Sequence, residues 1–338
     1  MLKIVAALSG GVDSSVAAQR LIRQGHEVIG LFMRLTEGEG SACCNIRTGQ
    51  TARRVADKLD IPFMAVDYSE SFRKNVIDHA LNNLDNGLTP NPCVECNRKV
   101  KFEELLGQAK RMGADALATG HYGKIFKENN EYQMHEAKSQ KKDQSYFLWP
   151  TSKKSLSEII FPLGDVDDKS TIRQEALEGG LPTAKAPESQ DLCFAPEGLV
   201  KFIGKEEPGD ILDLKGNVIG EHKGHFTVTL GQRRGLGGVA LGKPAYVVQK
   251  DHKSNTVTLG DRDHFSKRKI NLERVNWLTD LNDLSEGLSA RIRYRGSKRI
   301  VQKIEEQRII FSEPVTVAPG QSIVVYLGTR VIGGGVAQ

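Results

Sequence analysis

The chain has 338 residues, of which 39% are hydrophobic and 26% are charged. This length is sufficient for two or three domains, and the composition excludes wholesale disorder. The net charge of +5 is too small to identify a nucleic-acid binder by itself. The apolar segment at residues 2–8 is shorter than a membrane span and lacks the cleavage pattern of a signal peptide, so we expect a cytoplasmic protein with no membrane partner.

The first half of the chain alternates apolar runs with helical patterns. Strands are predicted at 3–8, 28–35, 63–66 and 116–119, and helices at 16–24, 51–59, 71–84 and 102–112. This alternation is typical of βαβ units and predicts an α/β fold with a parallel sheet. Ligands of such sheets bind at the carboxyl ends of the strands, so we expect the loops at Ser9, Met33 and Gly120 to share one crevice.

The first predicted strand runs directly into the sequence SGGVDSS, residues 9–15. Glycines allow a phosphate to approach the backbone, and the N–H groups of the following helix can receive its charge. No Gly-Lys-Ser/Thr follows, which excludes a Walker A loop. The segment resembles instead the PP-loop of enzymes that cleave ATP between its α and β phosphates, which implies an adenylated substrate and a role for Asp13 in holding Mg²⁺. PP-loop enzymes include sulfur-inserting and ammonia-using members, so the loop alone does not identify the nucleophile.

The pattern changes after about Pro196 to short β-rich runs separated by glycines. We therefore predict a catalytic domain at 1–195, a small central β-rich domain at 196–263 and a C-terminal β-barrel at 264–338. From Lys267 onward there are twelve Lys and Arg against seven Asp and Glu, a surplus equal to the net charge of +5 of the whole chain. Arg291, Arg293 and Arg295 alternate, so a strand would present them on one face. That face suits a phosphate backbone, or it is the solvated face of an ordinary strand.

The chain has five cysteines, an odd number that argues against a structural disulfide framework. Cys93 and Cys96 form a CxxC motif followed by basic residues, which stabilise thiolates, so both are candidates for reactive sulfur. A CxxC is also half of a structural zinc site, to which Cys43 and Cys44 could contribute. Cys193 stands alone, and an isolated cysteine is more often buried than catalytic.

Nine segments follow the order in which they occur in the MnmA family of tRNA 2-thiouridylases. They are SGGVDSS, GLFMR, NPCVECNRKVKF, ATGHY, KDQSYFL, ESQDLCF, TLGQRRGLG, RIRYR and PGQS, and together they span nearly the whole chain. This resemblance implies a PP-loop domain that binds ATP, a small central domain and a C-terminal β-barrel that binds tRNA. It further implies ATP-dependent 2-thiolation of the wobble uridine of tRNA(Glu), tRNA(Gln) and tRNA(Lys), with sulfur supplied by a cysteine desulfurase or a sulfur-relay protein.

The resemblance also implies the site residues. The positions that match ATP-binding residues of the family are Ala7, Leu8, Ser9, Gly10, Gly11, Val12, Asp13, Ser14, Met33 and Gly120. Cys96 and Cys193 match its catalytic pair. The positions that match contacts with the target base or the tRNA are Asn91, Pro92, Cys93, His121, Lys142, Asp143, Gln144, Arg293, Tyr294 and Gln321. Strict strand alternation would place Arg293 and Tyr294 on opposite faces. Cys43 and Cys44 match nothing catalytic, and we expect them to be buried near the site.

Two sulfur mechanisms are compatible with these cysteines. In a persulfide relay, Cys193 receives sulfur from the donor, and Cys96 attacks the persulfide and ends in a disulfide bond with Cys193. Some family members have Asp where this chain has Cys93, and three thiolates at positions 93, 96 and 193 could instead hold a [4Fe-4S] cluster whose fourth iron carries sulfide.

Two other classes of protein are alternatives. An ammonia-using synthetase of a small metabolite would share the phosphate loop, but it would not need the CxxC motif, Cys193 and a basic barrel together. A non-catalytic RNA-binding protein would share the barrel but not the nucleotide loop.

Overall fold

The computed structural model describes residues 1–36, 45–187, 192–236, 244–261, 264–284 and 286–338. The predictions for Cys43 and Cys44 lie outside these residues. Within the described ranges, no helix has the length and apolar character that crossing a membrane requires.

The N-terminal part is built on a parallel sheet. The first seven strands are β1 Lys3–Ala7, β2 Glu27–Arg34, β3 Phe63–Asp67, β4 Ala116–Ala118, β5 Lys124–Glu128, β6 Glu131–His135 and β7 Ile159–Ile160. Five of them pair in parallel in the order β3-β2-β1-β4-β7, which confirms the predicted α/β fold. Strands β5 and β6 form an antiparallel hairpin that the sequence analysis did not predict.

Helices cover the sheet and connect its strands. They are α1 Val12–Arg23, α2 Ile46–Leu59, α3 at 69–85, α4 at 92–111, α5 Ser145–Leu148, α6 Lys169–Glu178 and α7 Leu199–Ile203. Both α3 and α4 contain a π-helical stretch, Arg73–Asp78 and Cys96–Leu105 respectively. Shorter 3₁₀ turns lie at Lys153–Glu158, His225–Thr227 and Leu281–Asp283.

The helices α2 and α4 begin earlier than predicted because capping residues, not apolar periodicity, set their first turns. The side chain of Asn45 accepts a hydrogen bond from the N–H of Thr48 and completes a capping box at α2. The side chain of Asn91 accepts a hydrogen bond from the N–H of Val94, with Pro92 in the first turn of α4. Helix α4 therefore contains the whole CxxC motif.

Two further sheets follow. The central one contains β8 Gly209–Leu212, β9 Val218–His222, β10 Tyr246–Asp251 and β11 Thr256–Gly260, in the order β10-β11-β8-β9. The last six strands are β12 Lys267–Trp277, β13 Leu288–Arg291, β14 Arg299–Glu305, β15 Arg308–Val315, β16 Ser322–Leu327 and β17 Arg330–Ala337. They pair in the order β12-β15-β14-β13-β16-β17, and β12 also pairs with β17, which closes the predicted barrel.

The barrel is joined firmly to the N-terminal part. Strand β17 pairs with β6 at Arg330 and His135, so the β5–β6 hairpin extends the sheet of the barrel. One hydrophobic cluster also contains residues of both parts, such as Trp149 of the N-terminal part and Val324 and Tyr326 of the barrel. The two parts thus share a core.

The predicted strand through Arg291, Arg293 and Arg295 is wrong. Strand β13 ends at Arg291, residues 292–295 form bends and a turn, and Arg295 has a φ of +55°. The side chain of Arg291 is only 12% exposed and pairs with the carboxylates of Glu136 and Asp143, each at 2.8 Å. The three arginines therefore do not share one face, and the alternation argument does not apply to Arg293 and Tyr294.

Candidate active site

The phosphate loop connects β1 to α1 through a backbone that requires glycine. Gly10 has a φ of +78°, and a Cβ atom there would lie 2.6 Å from the carbonyl oxygen of Thr48. Ser14 Oγ donates to the carbonyl of Gly11 at 3.0 Å and accepts from the N–H of Ser9 at 3.2 Å. These bonds hold the loop open at the start of α1, where N–H groups and the helix dipole favour an anion.

The chain that follows β4 packs against this loop. A Cβ atom on Gly120 would lie 2.8 Å from the backbone nitrogen of Ser14, so a side chain could not be accommodated there without a shift of α1. The loops at Ser9 and Gly120 thus meet at the carboxyl edge of the sheet, as predicted. Met33 lies near the end of β2, which pairs with β1, and is 7% exposed.

Asp13 is held by two residues that the sequence analysis missed. The hydroxyl of Tyr122 donates to Asp13 Oδ1 at 2.6 Å, and Lys169 Nζ donates to Asp13 Oδ2 at 3.0 Å. The side chain of Lys169 is 12% exposed and comes from the first residue of α6. Mg²⁺ in nucleotide sites is commonly held by one or two carboxylates and substrate phosphates, so Asp13 fits this role. Lys169 adds a positive charge beside the phosphate loop.

The CxxC cysteines lie in the first half of α4. Burial raises the pKa of both thiols, that of Cys93 to about 11, while the nearby ammonium group of Lys101 acts in the opposite direction on both. The π-helical stretch contributes to this proximity, because its i→i+5 hydrogen bonds bring residue 101 round towards residue 96. Lys101 Nζ is fixed by Asn97 Oδ1 at 3.0 Å.

His121 connects α4 with the phosphate-loop region. Its Nε2 lies 3.1 Å from Lys101 Nζ, and its Nδ1 lies 2.7 Å from the hydroxyl oxygen of Thr119. Burial, reinforced by the charge of Lys101, lowers the pKa of His121 well below its usual value, so the ring is neutral. In that form Nε2 accepts from the ammonium group and Nδ1–H donates to Thr119. Both ring nitrogens are therefore engaged within the protein.

The segment 142–144 faces the protein more than expected for residues that contact RNA. Asp143 is 1% exposed, and its carboxylate accepts from the N–H groups of Ala137 and Ser145 and from Arg291. The side-chain oxygen of Gln144 accepts from the N–H of Tyr122 at 2.9 Å. Both residues stay predicted contacts of tRNA, but in this structure their carboxylate and carbonyl groups are used for internal bonds.

Two of the predicted tRNA-binding residues of the barrel, Tyr294 and Gln321, lie at its contact with the N-terminal part. The ring of Tyr294 packs 4.4 Å from that of Phe147, which directly precedes the end of α5. Gln321 follows Gly320, where a Cβ atom would lie 2.9 Å from the backbone nitrogen of Thr89. The turn that carries Gln321 therefore lies against the segment that leads into Asn91, Pro92 and Cys93.

Cys193 packs against the same hydrophobic cluster as Cys96. It lies in a short turn closed by a bridge between Leu192 and Ala195. The next residue, Phe194, packs edge-on against Phe72 and Phe202 and lines a cavity of about 730 Å³. Among the described residues, no three His, Cys, Asp or Glu side chains are grouped as metal ligands, so residues 93, 96 and 193 are not gathered as one ligand set. The zinc site considered above would also need Cys43 and Cys44, which lie outside the described residues.

The fold and the site define the class of protein. A parallel sheet with SGGVDSS in its first βα loop and a C-terminal barrel is an ATP-using PP-loop enzyme. Three family models match: the tRNA methyl transferase HUP domain at residues 2–197, the tRNA methyl transferase PRC-barrel domain at 197–261 and the aminomethyltransferase beta-barrel domain at 267–337.

Relatives of known name match almost the whole chain. The tRNA-specific 2-thiouridylase MnmA of Rickettsia felis is 40% identical over 350 residues, which cover 98% of this chain and 95% of that protein. The MnmA of Acetivibrio thermocellus is 39% identical over 358 residues and 99% of both chains. This chain belongs to the MnmA family of tRNA-specific 2-thiouridylases. The solved structure of the U34-tRNA thiolase NcsA from Methanococcus maripaludis, with its [4Fe-4S] cluster, matches at 21% identity and a TM-score of 0.38, over 60% of this chain and 65% of that one, which is too distant to support a conclusion.

Proposed function

We propose that this enzyme uses ATP to replace the oxygen at C2 of the wobble uridine, U34, by sulfur in tRNA(Glu), tRNA(Gln) and tRNA(Lys). The observation that carries the proposal is the segment 120–122. Gly120 packs on the phosphate loop, His121 contacts Lys101 beside the CxxC motif, and Tyr122 donates to Asp13. Three consecutive residues thus link the ATP-binding loop to the helix that contains Cys96.

The first step is activation of the base. The C2 oxygen of uridine attacks the α-phosphate of ATP, pyrophosphate leaves, and the uridine becomes adenylated. The N–H groups at the start of α1 and the ammonium group of Lys169 hold the phosphates, while Asp13 would hold Mg²⁺, which neutralises the charge of the leaving pyrophosphate. The adenylate must be kept from water until sulfur attacks it.

The second step is transfer of sulfur. Cys193 carries a persulfide received from a cysteine desulfurase or a sulfur-relay protein. The terminal sulfur attacks C2, and AMP leaves with the former C2 oxygen. The thiolate of Cys96 then attacks the sulfur of Cys193, which releases 2-thiouridine and forms a Cys96–Cys193 disulfide, and an external thiol reduces this bond for the next turnover. Lys101 favours the thiolate of Cys96 against the opposing effect of burial.

Cys93 distinguishes this relay from a cluster mechanism. Residues 93, 96 and 193 have the thiol chemistry that a [4Fe-4S] cluster requires, whereas Cys96 and Cys193 alone pack against one hydrophobic cluster as the relay pair. The relay needs only Cys96 and Cys193. We therefore propose the relay, in which Cys93 lies beside the target base.

The test compares pyrophosphate release with formation of 2-thiouridine in the same reaction. The wild-type enzyme should release pyrophosphate only when tRNA is present, whereas a synthetase of a small metabolite would not need tRNA and an RNA-binding protein would release none. Cys96→Ala should retain this release and lose 2-thiouridine, as measured by mass spectrometry of tRNA nucleosides. Cys93→Ala should retain substantial thiolation when a sulfur donor is supplied, because the relay does not use this thiol. If anaerobic reconstitution with iron and sulfide gives a brown wild-type enzyme, and Cys93→Ala loses both the colour and thiolation, the relay is contradicted.

A further inference from the structure

A buried carboxylate stands inside the CxxC motif without a role in the chemistry described above. Glu95 lies between Cys93 and Cys96, and its side chain is 5% exposed. Its Oε2 accepts from Arg98 of the same helix at 2.5 Å. Its Oε1 accepts from Arg274 Nη1 at 2.8 Å. A buried carboxylate is stable only when it is paired, and one of its two partners belongs to the barrel.

Arg274 reaches Glu95 because β12 is irregular at this point. The register between β12 and β17 shifts between Glu273 and Asn276. Within this bulge Arg274 has a φ of +48°, a left-handed conformation that is unusual for any residue other than glycine, asparagine or aspartate. Bulges redirect side chains, and strained backbone of this kind is concentrated at functional sites.

The same irregular stretch of β12 also forms hydrogen bonds with another segment of the catalytic domain. Asn276 Nδ2 donates to the carbonyl oxygens of Trp149 at 2.6 Å and Thr151 at 2.9 Å. On the other side of the CxxC motif, the N–H of Thr89 donates to the carbonyl of Pro319 at 2.8 Å. The barrel therefore contacts this region at two points, at Thr89 before the CxxC motif and at Glu95 within it.

We propose that Arg274 and Glu95 are positioning residues, which fix the position of the Cys96 thiol relative to the barrel that binds tRNA. This inference rests on the proposed function. Cys96 directly follows Glu95. Loss of the bond between Glu95 and Arg274 therefore allows this turn of α4, and the Cys96 thiol with it, to move relative to the target base. Adenylation depends on residues 9–14 and does not require this ion pair. The ion pair therefore affects sulfur transfer and leaves activation of the base intact.

The experiment uses the full-length enzyme and the ratio of 2-thiouridine formed to pyrophosphate released. Displacement of a reacting group by about 1 Å can cost about 100-fold in rate, so we expect Arg274→Met to lower this ratio by about 10- to 100-fold. The dissociation constant for tRNA should stay unchanged. Arg274→Lys keeps a positive charge and should recover part of the ratio. Arg111→Met removes an exposed arginine of α4 whose guanidinium donates to the side-chain oxygen of Gln108, and serves as the matched control.

A merely structural role gives a different result. If Arg274 only stabilised the fold, the variant would unfold at a lower temperature and lose pyrophosphate release and thiolation together, with an unchanged ratio, which would overturn the inference. The double variant Glu95→Met/Arg274→Met removes both charges, so it should fold even if the single variant does not, and it should still show the low ratio. Absence of both activities from the wild-type enzyme would contradict the proposed function itself.

Discussion

Replacement of Arg291 by methionine should lower stability and leave RNA binding intact. The side chain of Arg291 is 12% exposed and pairs with Asp143, whose side chain is fully buried, and with Glu136, which is 7% exposed. In the variant Glu136 keeps Lys298 at 2.8 Å, whereas the partners that Asp143 keeps within the described part of the chain are the neutral donors of Ala137 and Ser145. Removal of one partner of a buried ion pair costs about 3 to 5 kcal/mol, and the remaining partners place the expected loss near 3 kcal/mol.

Differential scanning calorimetry of the whole enzyme measures this loss. At roughly 2 to 4 °C per kcal/mol, the unfolding transition that includes the barrel should move down by about 6 to 12 °C. The double variant Asp143→Asn/Arg291→Met no longer contains the stranded carboxylate charge and should recover part of the shift. Equal losses in the single and double variants would show that the stranded charge is not the cause.

Arg293 provides the comparison for Arg291, because it is an exposed arginine in the turn after β13. Arg293→Ala should weaken tRNA binding and reduce the slope of log K against log salt by about one, because one phosphate contact is lost. Its unfolding temperature should be that of the wild type. Arg291→Met should keep the full salt slope, since a buried guanidinium contacts no phosphate. A flattened slope for Arg291→Met, or wild-type stability, would refute this assignment.

Three other predictions concern the catalytic domain. Asp13→Ala should abolish tRNA-dependent pyrophosphate release while filter binding of tRNA persists, and near-normal thiolation would exclude the proposed phosphate site. Gly120→Ala should raise the KM for ATP, because its Cβ would lie 2.8 Å from the nitrogen of Ser14, and an unchanged KM would mean that the loop accommodates the methyl group. Alkylation of Cys93 by iodoacetamide should rise with pH with a midpoint near 11, the pKa to which burial raises this thiol, and a midpoint near the ordinary 9 would contradict this. At pH 8 the thiolate fraction is then roughly 100-fold below that of an ordinary cysteine.

The sequence predicts the parallel sheet well because its strands are short apolar runs separated by amphipathic helices. It does not predict the β5–β6 hairpin. Strand β6 begins with Glu131 and Tyr132, which are exposed, followed by Gln133, which is polar but buried, and its partner strand β17 is formed by the end of the chain. Such pairing depends on tertiary contacts and leaves little local signal.

The phosphate loop was predictable because its glycines and hydroxyls are adjacent in sequence. Tyr122 and Lys169 were not, since they meet Asp13 only after folding, across 109 and 156 residues respectively. Arg291 was interpreted wrongly for a related reason. Period-two spacing says nothing about where a strand ends or which carboxylates face it, and here Asp143, distant in sequence, holds the guanidinium.

The pairing of β6 with β17 has a consequence for synthesis of the protein. His135 bonds to Thr329, 194 residues further along the chain. At ribosomal rates of roughly 5 to 20 residues per second, the edge of β6 stays unpaired for about 10 to 40 s until β17 is synthesised. An unpaired strand edge is a site of intermolecular association. We therefore expect chaperones to bind nascent chains whose synthesis stops before β17, and not to bind released full-length chains.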